Sequence, residues 1–153
     1  MTLGTVATSA AAELGGVSLL LVKLGERQYG LPLACVQRVL PMAFVLGLPS
    51  AGDGLLGMLN LHGQVLPVID PHLRLGLPSP RLTADHRLVL LLANAPFLLW
   101  VDEVDEVVTA AADALSDVPG QQASPLVPQV LRLGDSIVPV LAPASLEPCG
   151  TLL

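Results

Sequence analysis

Charge and aromatic rings are both scarce in this chain. Only 13% of its 153 residues are charged and 3% are aromatic, with one Trp, one Tyr and two Phe, so any interior has to be packed from Leu and Val. The seven basic residues are spread singly, and the net charge is −6. A nucleic-acid surface needs clustered Lys and Arg to displace counterions from phosphates, so nucleic acid is not an expected partner. Long apolar runs are missing too. The longest, Leu88–Val101, is interrupted by Asn94 and Pro96 and falls short of the ~20 residues a membrane-spanning helix takes, so no direct membrane insertion is expected. The N-terminus lacks the basic stretch that opens a secretory signal. Cys35 and Cys149 lie far apart without a pairing motif and read as reduced thiols of a cytoplasmic protein.

What the chain does have is aliphatic material. Apolar residues make up 52% of it, enough for a core with a surplus that favours burial against partners. Residues 1–16 are small and aperiodic and read as a mobile arm. One domain is expected over 17–148 and a tail over 149–153. Strands are predicted at SLLLVKL (from Ser18) and YGLPL (from Tyr29), followed by a short amphipathic helix at Leu33–Leu40, where Leu33, Val36, Val39 and Leu40 stand at helical spacing. The segment Gly57–Gly76 reads as a β-hairpin turning at His62-Gly63-Gln64. A second strand pair, RLVLLLA and PFLLWV, follows a proline-bearing linker. Val101, Val104, Val107 and Val108 then return to helical spacing, and the hairpin QVLRLGDSIVPVL closes the chain.

This order repeats. An offset of 68 places Leu21 on Val89, Tyr29 on Phe97, Leu31 on Leu99, Val36 on Val104 and Val39 on Val107. An offset of 72 carries Leu59 to Leu131, Leu61 to Leu133, Pro67 to Pro139, Val68 to Val140 and Pro71 to Pro143. The halves, about 18–78 and 86–146, are each too small to be stable alone at ~65 residues. They are expected to pack together as two small closed barrels, with the Gly57–Gly76 hairpin closing the first.

Candidate chemistry is thin. His62, His72 and His86 share no metal-ligand spacing with each other or with a cysteine, and read as exposed loop residues. No metal or cofactor is expected. The acidic run Asp102, Glu103, Asp105, Glu106 reads as a solvated face, with Asp102 capping a helical turn. Asp70 and His72 invite a dyad reading, but a strand-end aspartate commonly caps the turn that follows it. Nucleophile and phosphate-loop signatures are absent, so no catalytic residue is named.

Three segments in order, KLGERQYGLPLACVQRVL, GLLGMLNLHGQVLPVIDPHLRLGL and FLLWVDEVDEVV, resemble the CheW family of chemotaxis coupling proteins, from about Leu19 to Leu146. The resemblance implies two five-stranded β-barrels around a shared hydrophobic core, with short helices. It implies a non-catalytic adaptor that bridges the regulatory domain of a CheA-type histidine kinase and the cytoplasmic tip of a methyl-accepting chemoreceptor. Such proteins work in the cytoplasm at membrane-associated arrays controlling chemotaxis or twitching motility. The receptor tip would lie in an apolar groove between the barrels. The family's NLRG turn falls on Asn60, Leu61, His62 and Gly63, with His62 in place of arginine. Val36 keeps the apolar type of a groove position, and Arg38 stands where the family is frequently acidic. Asp70 of the PVID element is retained, while Pro71 and Ala142 depart from the pattern. The resemblance thus implies receptor- or kinase-binding roles for Val36, Arg38, Asn60, His62, Gly63 and Asp70. The alternative, a small β-barrel enzyme or ligand-binding protein, requires Asp70 and the 102–106 run to converge on a concave pocket.

Overall fold

The computed structural model describes residues 16–43, 45–46, 54–120 and 124–147. The predicted arm and tail lie outside this range, except for Gly16, which opens the first strand. Eleven strands are formed among the described residues: β1 (Gly16–Leu24), β2 (Arg27–Pro32), β3 (Val36–Pro41), β4 (Leu55–Leu61), β5 (Gln64–Ile69), β6 (Arg87–Leu92), β7 (Pro96–Val101), β8 (Glu103–Ala111), β9 (Leu115–Asp117), β10 (Gln129–Leu133) and β11 (Ser136–Val140). They build two sheets, ordered β8-β1-β2-β11-β10-β9 and β3-β6-β7-β5-β4. Each sheet curls, barrel-like, around an interior of its own. The sixth strand of the first sheet, β9, was not expected; in the second sheet its place is taken by a single bridge between Leu46 and Met58.

The apolar runs of β1, β2, β6 and β7 are continuous because successive residues enter different cores. Leu19 and Leu21 fill the first barrel, and Leu88, Leu90, Leu98 and Trp100 the second. The alternate residues Leu20, Val22, Leu24, Tyr29, Leu31, Val89, Leu91, Phe97, Leu99 and Val101 meet in a third core between the sheets. Side chains alternate faces along a strand, so both faces of these four strands are buried and no polar alternation survives.

Both predicted helices are strands. After a single 3-10 turn at Leu33–Cys35, Val36–Pro41 pairs with β6, with a bulge between Val36 and Arg38. Glu103–Ala111 pairs with β1 and carries an extra residue opposite Leu21. Inserting one residue shifts the alternation, so residues three apart share a face. Val36 and Val39, like Val104 and Val107, therefore pack on the central core at a spacing that imitates a helix.

The repeat is real in the topology, but its halves are exchanged. The first half gives β1 and β2 to one sheet and β3, β4 and β5 to the other; the second half does the converse. The Gly57–Gly76 hairpin thus completes a sheet begun by β6 and β7 rather than by its own half. The joints match: β5 runs parallel to β7 with Val68 beside Leu98, and β11 runs parallel to β2 with Val140 beside Gly30. One detail of the repeat is corrected. Leu21 lies opposite Gly30 and Leu90 opposite Leu98, so Leu21 corresponds to Leu90, not Val89. A slip of one residue along a strand reverses which core a side chain enters.

This exchange predicts that neither half folds alone. Fragments covering residues 18–78 and 86–146 are each expected to lack cooperative unfolding by circular dichroism, whereas mixing them restores a transition. A cooperative transition in either isolated fragment would contradict the exchanged topology.

Candidate functional site

The six residues singled out by the resemblance occupy three places. Val36 opens β3, half-buried at the margin of the central core, and Arg38 is exposed two residues along. Asn60, His62 and Gly63 form the tip of the β4–β5 hairpin. His62 and Gly63 have φ of 52° and 88°, as a two-residue turn of the type favoured by twisted hairpins requires. The Asn60 side-chain oxygen accepts a 2.9 Å hydrogen bond from the Gly63 N–H, which fixes the turn and leaves the His62 imidazole in solvent. Beside the tip lies a concavity of about 450 Å³ lined by Ala43, Leu46, Met58, Leu59, Asn60 and Val65. Leu46 and Val65 there are 56% and 59% exposed. β3 and the tip-bearing strand β4 are the outermost members of the strand order, so Arg38 and His62 are not ladder neighbours.

Asp70 is elsewhere again, at the root of the hairpin and 9% exposed. As β5 ends, the Asp70 N–H donates to the Gly54 carbonyl, and Oδ1 accepts the His72 N–H at 2.9 Å, the turn cap read from the sequence. The same oxygen meets His72 Nδ1 at 2.5 Å, and Oδ2 accepts the Ser79 hydroxyl. His72 Nε2 reaches Asp102 Oδ1 at 2.5 Å, across to the β7–β8 junction. The His72 ring is 0% exposed and stands edge-on to Trp100, with centroids 5.1 Å apart. Trp100 Nε1–H donates in turn to Nδ1 of the buried His86. Of the three histidines expected in solvent, only His62 is there.

A carboxylate only accepts hydrogen bonds, so an imidazole that donates to both of them carries protons on both nitrogens and is cationic. Burial by itself pushes the His72 pKa down, but the hydrogen bonds and charges of Asp70 and Asp102 outweigh it and hold it above 6.5. Burial likewise pushes Asp70 up, and the hydrogen bonds from His72 and Ser79 outweigh that and hold it below 3.8.

The acidic run therefore divides. Asp102 joins the buried cluster instead of capping a helix, Asp105 accepts from Gln28 Nε2, and Glu103 lies 4.0 Å from Lys23 in solvent. Asp70 and Asp102 do converge, but on the fully buried His72 imidazole, which is closed to a substrate. The serine bonds the carboxylate rather than the imidazole, whereas a nucleophile needs the ring nitrogen as its base. The two ring nitrogens point to opposite partners, so the cluster does not form a metal cage. It holds a charge in place.

The repeat gives this corner a twin. The counterparts of Asp70, His72 and Asp102 are Ala142, Ala144 and Ala34. Two backbone bonds are shared without the polar groups: Ala142 N–H bonds the Leu126 carbonyl as Asp70 bonds Gly54, and Glu147 N–H bonds Pro143 as Leu75 bonds Pro71, although one turn is 3-10 and the other α-helical. Pro143 opens the helical turn Pro143–Leu146, where a missing N–H costs nothing, while Pro71 lies just before the N-cap His72 of the 3-10 turn Leu73–Leu75. Three polar residues against three alanines in the other copy are the sequence signal of this interior cluster.

The profile of the CheW family, a CheW-like domain, matches residues 18–147. The chemotaxis protein CheW of Rhizobium meliloti is 27% identical over 115 residues, covering 73% of this chain and 74% of that protein. The chemotaxis protein CheW of Bacillus subtilis is 25% identical over 105 residues, covering 68% and 67%. Among solved structures, the scaffolding protein TtCheW from Thermoanaerobacter tengcongensis aligns with a TM-score of 0.76 over 82% of this chain and 88% of that one. At 22% identity this is a likeness of fold.

Removing one partner from a buried ion cluster strands the others. Asp102→Ala is expected to lower the unfolding free energy by about 3 kcal/mol. The triple change Asp70→Ala, His72→Ala, Asp102→Ala copies the alanine corner, and is expected to cost clearly less than the sum of the three single changes. Urea denaturation measures both, and additive losses would contradict the cluster's coupling.

Proposed function

Since the chain belongs to the family of CheW-like domains, we propose that it serves as a non-catalytic adaptor coupling chemoreceptors to a CheA-type histidine kinase. A family of chemotaxis scaffolds is the premise, and the hairpin tip is the observation that carries the reading furthest. Asn60, His62 and Gly63 stand where the family's NLRG turn falls. They are rigidly held and presented to solvent, next to an apolar concavity suited to a partner side chain. The kinase's regulatory domain would dock at this tip. Val36 and Arg38 would contact the receptor's helical tip, one with an apolar surface and the other with charge. Asp70 would act from the interior, bracing the hairpin root without touching a partner.

Replacing an arginine by His62 removes a planar fork of donors able to grip a carboxylate in two bonds. Charge at such a rim selects among partners more than it sets affinity, so this chain would accept a partner that an arginine-bearing relative does not. The protein would operate in the cytoplasm at receptor arrays controlling swimming or pilus-driven movement. No helix among the described residues is long and apolar enough to cross a membrane, so attachment would come through the receptor.

Isothermal titration with the barrel-type regulatory domain of a cognate kinase is expected to give micromolar binding, and absence of binding would sink the adaptor reading. His62→Arg is expected to change the ranking of kinase domains from different systems while leaving the melting temperature alone. Val36→Asp, which puts an unpaired charge against an apolar helix, is expected to weaken receptor binding tenfold or more, on the order of 1.4 kcal/mol. Arg38→Glu tests the same contact at a position where folding is not at stake.

A further inference from the structure

We propose that Asp70, His72 and Asp102 form a pH-gated latch, closed from mildly acidic to neutral pH and released by alkalinisation, that ties the root of the β4–β5 hairpin to the β7–β8 junction. The proposal does not depend on the adaptor reading.

Three observations carry it. The imidazole is completely buried and spans two chain segments thirty residues apart, with one carboxylate on each. Losing its proton would leave one ring nitrogen facing a carboxylate lone pair with nothing to donate, and two acidic groups without their shared cation. The third observation is the alanine twin. At the positions of Ala142 and Ala144 a helical turn forms with two of the same backbone bonds, Ala142 N–H to Leu126 and Glu147 N–H to Pro143, so a turn at this place in the repeat does not require the polar groups. The cluster is an addition to one barrel, and it gives that corner a proton-dependent tie that the alanine corner lacks.

Among the described residues the surroundings supply no substitute charge. From the segment after β5 come Asp70 and, further on, the Ser79 hydroxyl bonded to its second oxygen. β7 contributes Trp100, whose ring makes a T-shaped contact with the imidazole, with His86 behind it as an acceptor. β1 offers only the Lys23 carbonyl, which takes the Asp102 N–H, while the ammonium group turns to Glu103. Arg74 reaches away to the Ser145 carbonyl.

The sign follows from the direction of each shift. His72 is raised above 6.5, so its contribution is complete below that pH and is lost as pH climbs through the folded value. Asp70 is depressed below 3.8, so its contribution is present above that pH and is lost as pH falls through its own folded value. The latch is strongest between the two ordinary values and opens on the alkaline side.

Hydrogen exchange on the full chain provides the test, because the two corners report side by side. The Leu75 and Leu77 amides bond to Pro71 and His72 in the latched corner, and the Glu147 amide bonds to Pro143 in the alanine corner. After correction for intrinsic exchange, protection at Leu75 and Leu77 is expected to fall above pH 6.5, approaching tenfold per pH unit until the folded pKa is passed. Protection at Glu147 is expected to stay level. His72→Arg, which keeps a cation at every pH used, should flatten the fall. Equal pH dependence in both corners of the wild type would overturn the proposal without reference to any variant, as would an unchanged slope in a folded His72→Arg protein.

Discussion

Everything in this fold depends on burying both faces of four strands at once. A strand normally keeps one face for water, and a domain this size would then have a single core. Here β1, β2, β6 and β7 stand between a barrel interior and the central core, so that Leu20 and Leu21, adjacent in sequence, belong to different hydrophobic clusters. The strand exchange makes this arrangement close. Each sheet takes its buried hairpin from one half and its outer strands from the other, so the central core is also the link between the repeats. A chain nearly without aromatic rings reaches this density because aliphatic side chains on paired strands interleave on both sides.

How much of this was legible in the residues depended on the type of signal. The hairpins were, because paired apolar runs around Gly-bearing turns have few other solutions, and Tyr29 with Phe97 marked the repeat. Strands β3 and β8 were not. Their bulges place valines three apart on one face, a spacing that matches a helical turn, and only their wealth of β-branched valine argued otherwise. The exchange of halves was invisible for another reason: a repeat shows which segments are equivalent and not which copy they pair with. At the candidate site, the exposed tip at Asn60, His62 and Gly63 followed from turn chemistry. The burial of Asp70 and His72, and their link to the half-buried Asp102, did not, since two of the three are contiguous with polar loops and their partnership crosses thirty residues. Comparing the repeats position by position would have exposed them as charges where the other copy has methyl groups.

The two ends of one hairpin therefore have opposite characters. At the tip, a side-chain oxygen locks a left-handed turn and an imidazole is offered outward; at the root, a second imidazole is enclosed and compensated. A rigid ladder, β4 against β5, joins them. Surface recognition can change at the tip without disturbing the root, because the residues at each end have no partners in common.

The single indole of the chain belongs to the same corner. Trp100 has the edge of His72 against its ring on one side and gives its N–H to His86 on the other, enclosed within the second barrel. Its counterpart in the first barrel is Pro32, which emits no light. Tryptophan fluorescence of this protein is therefore a signal from one barrel only, and from the neighbourhood of two imidazoles within it, His72 and His86. A cationic imidazole quenches indole emission more strongly than a neutral one, so the molecule carries its own optical gauge of the charge at its buried corner.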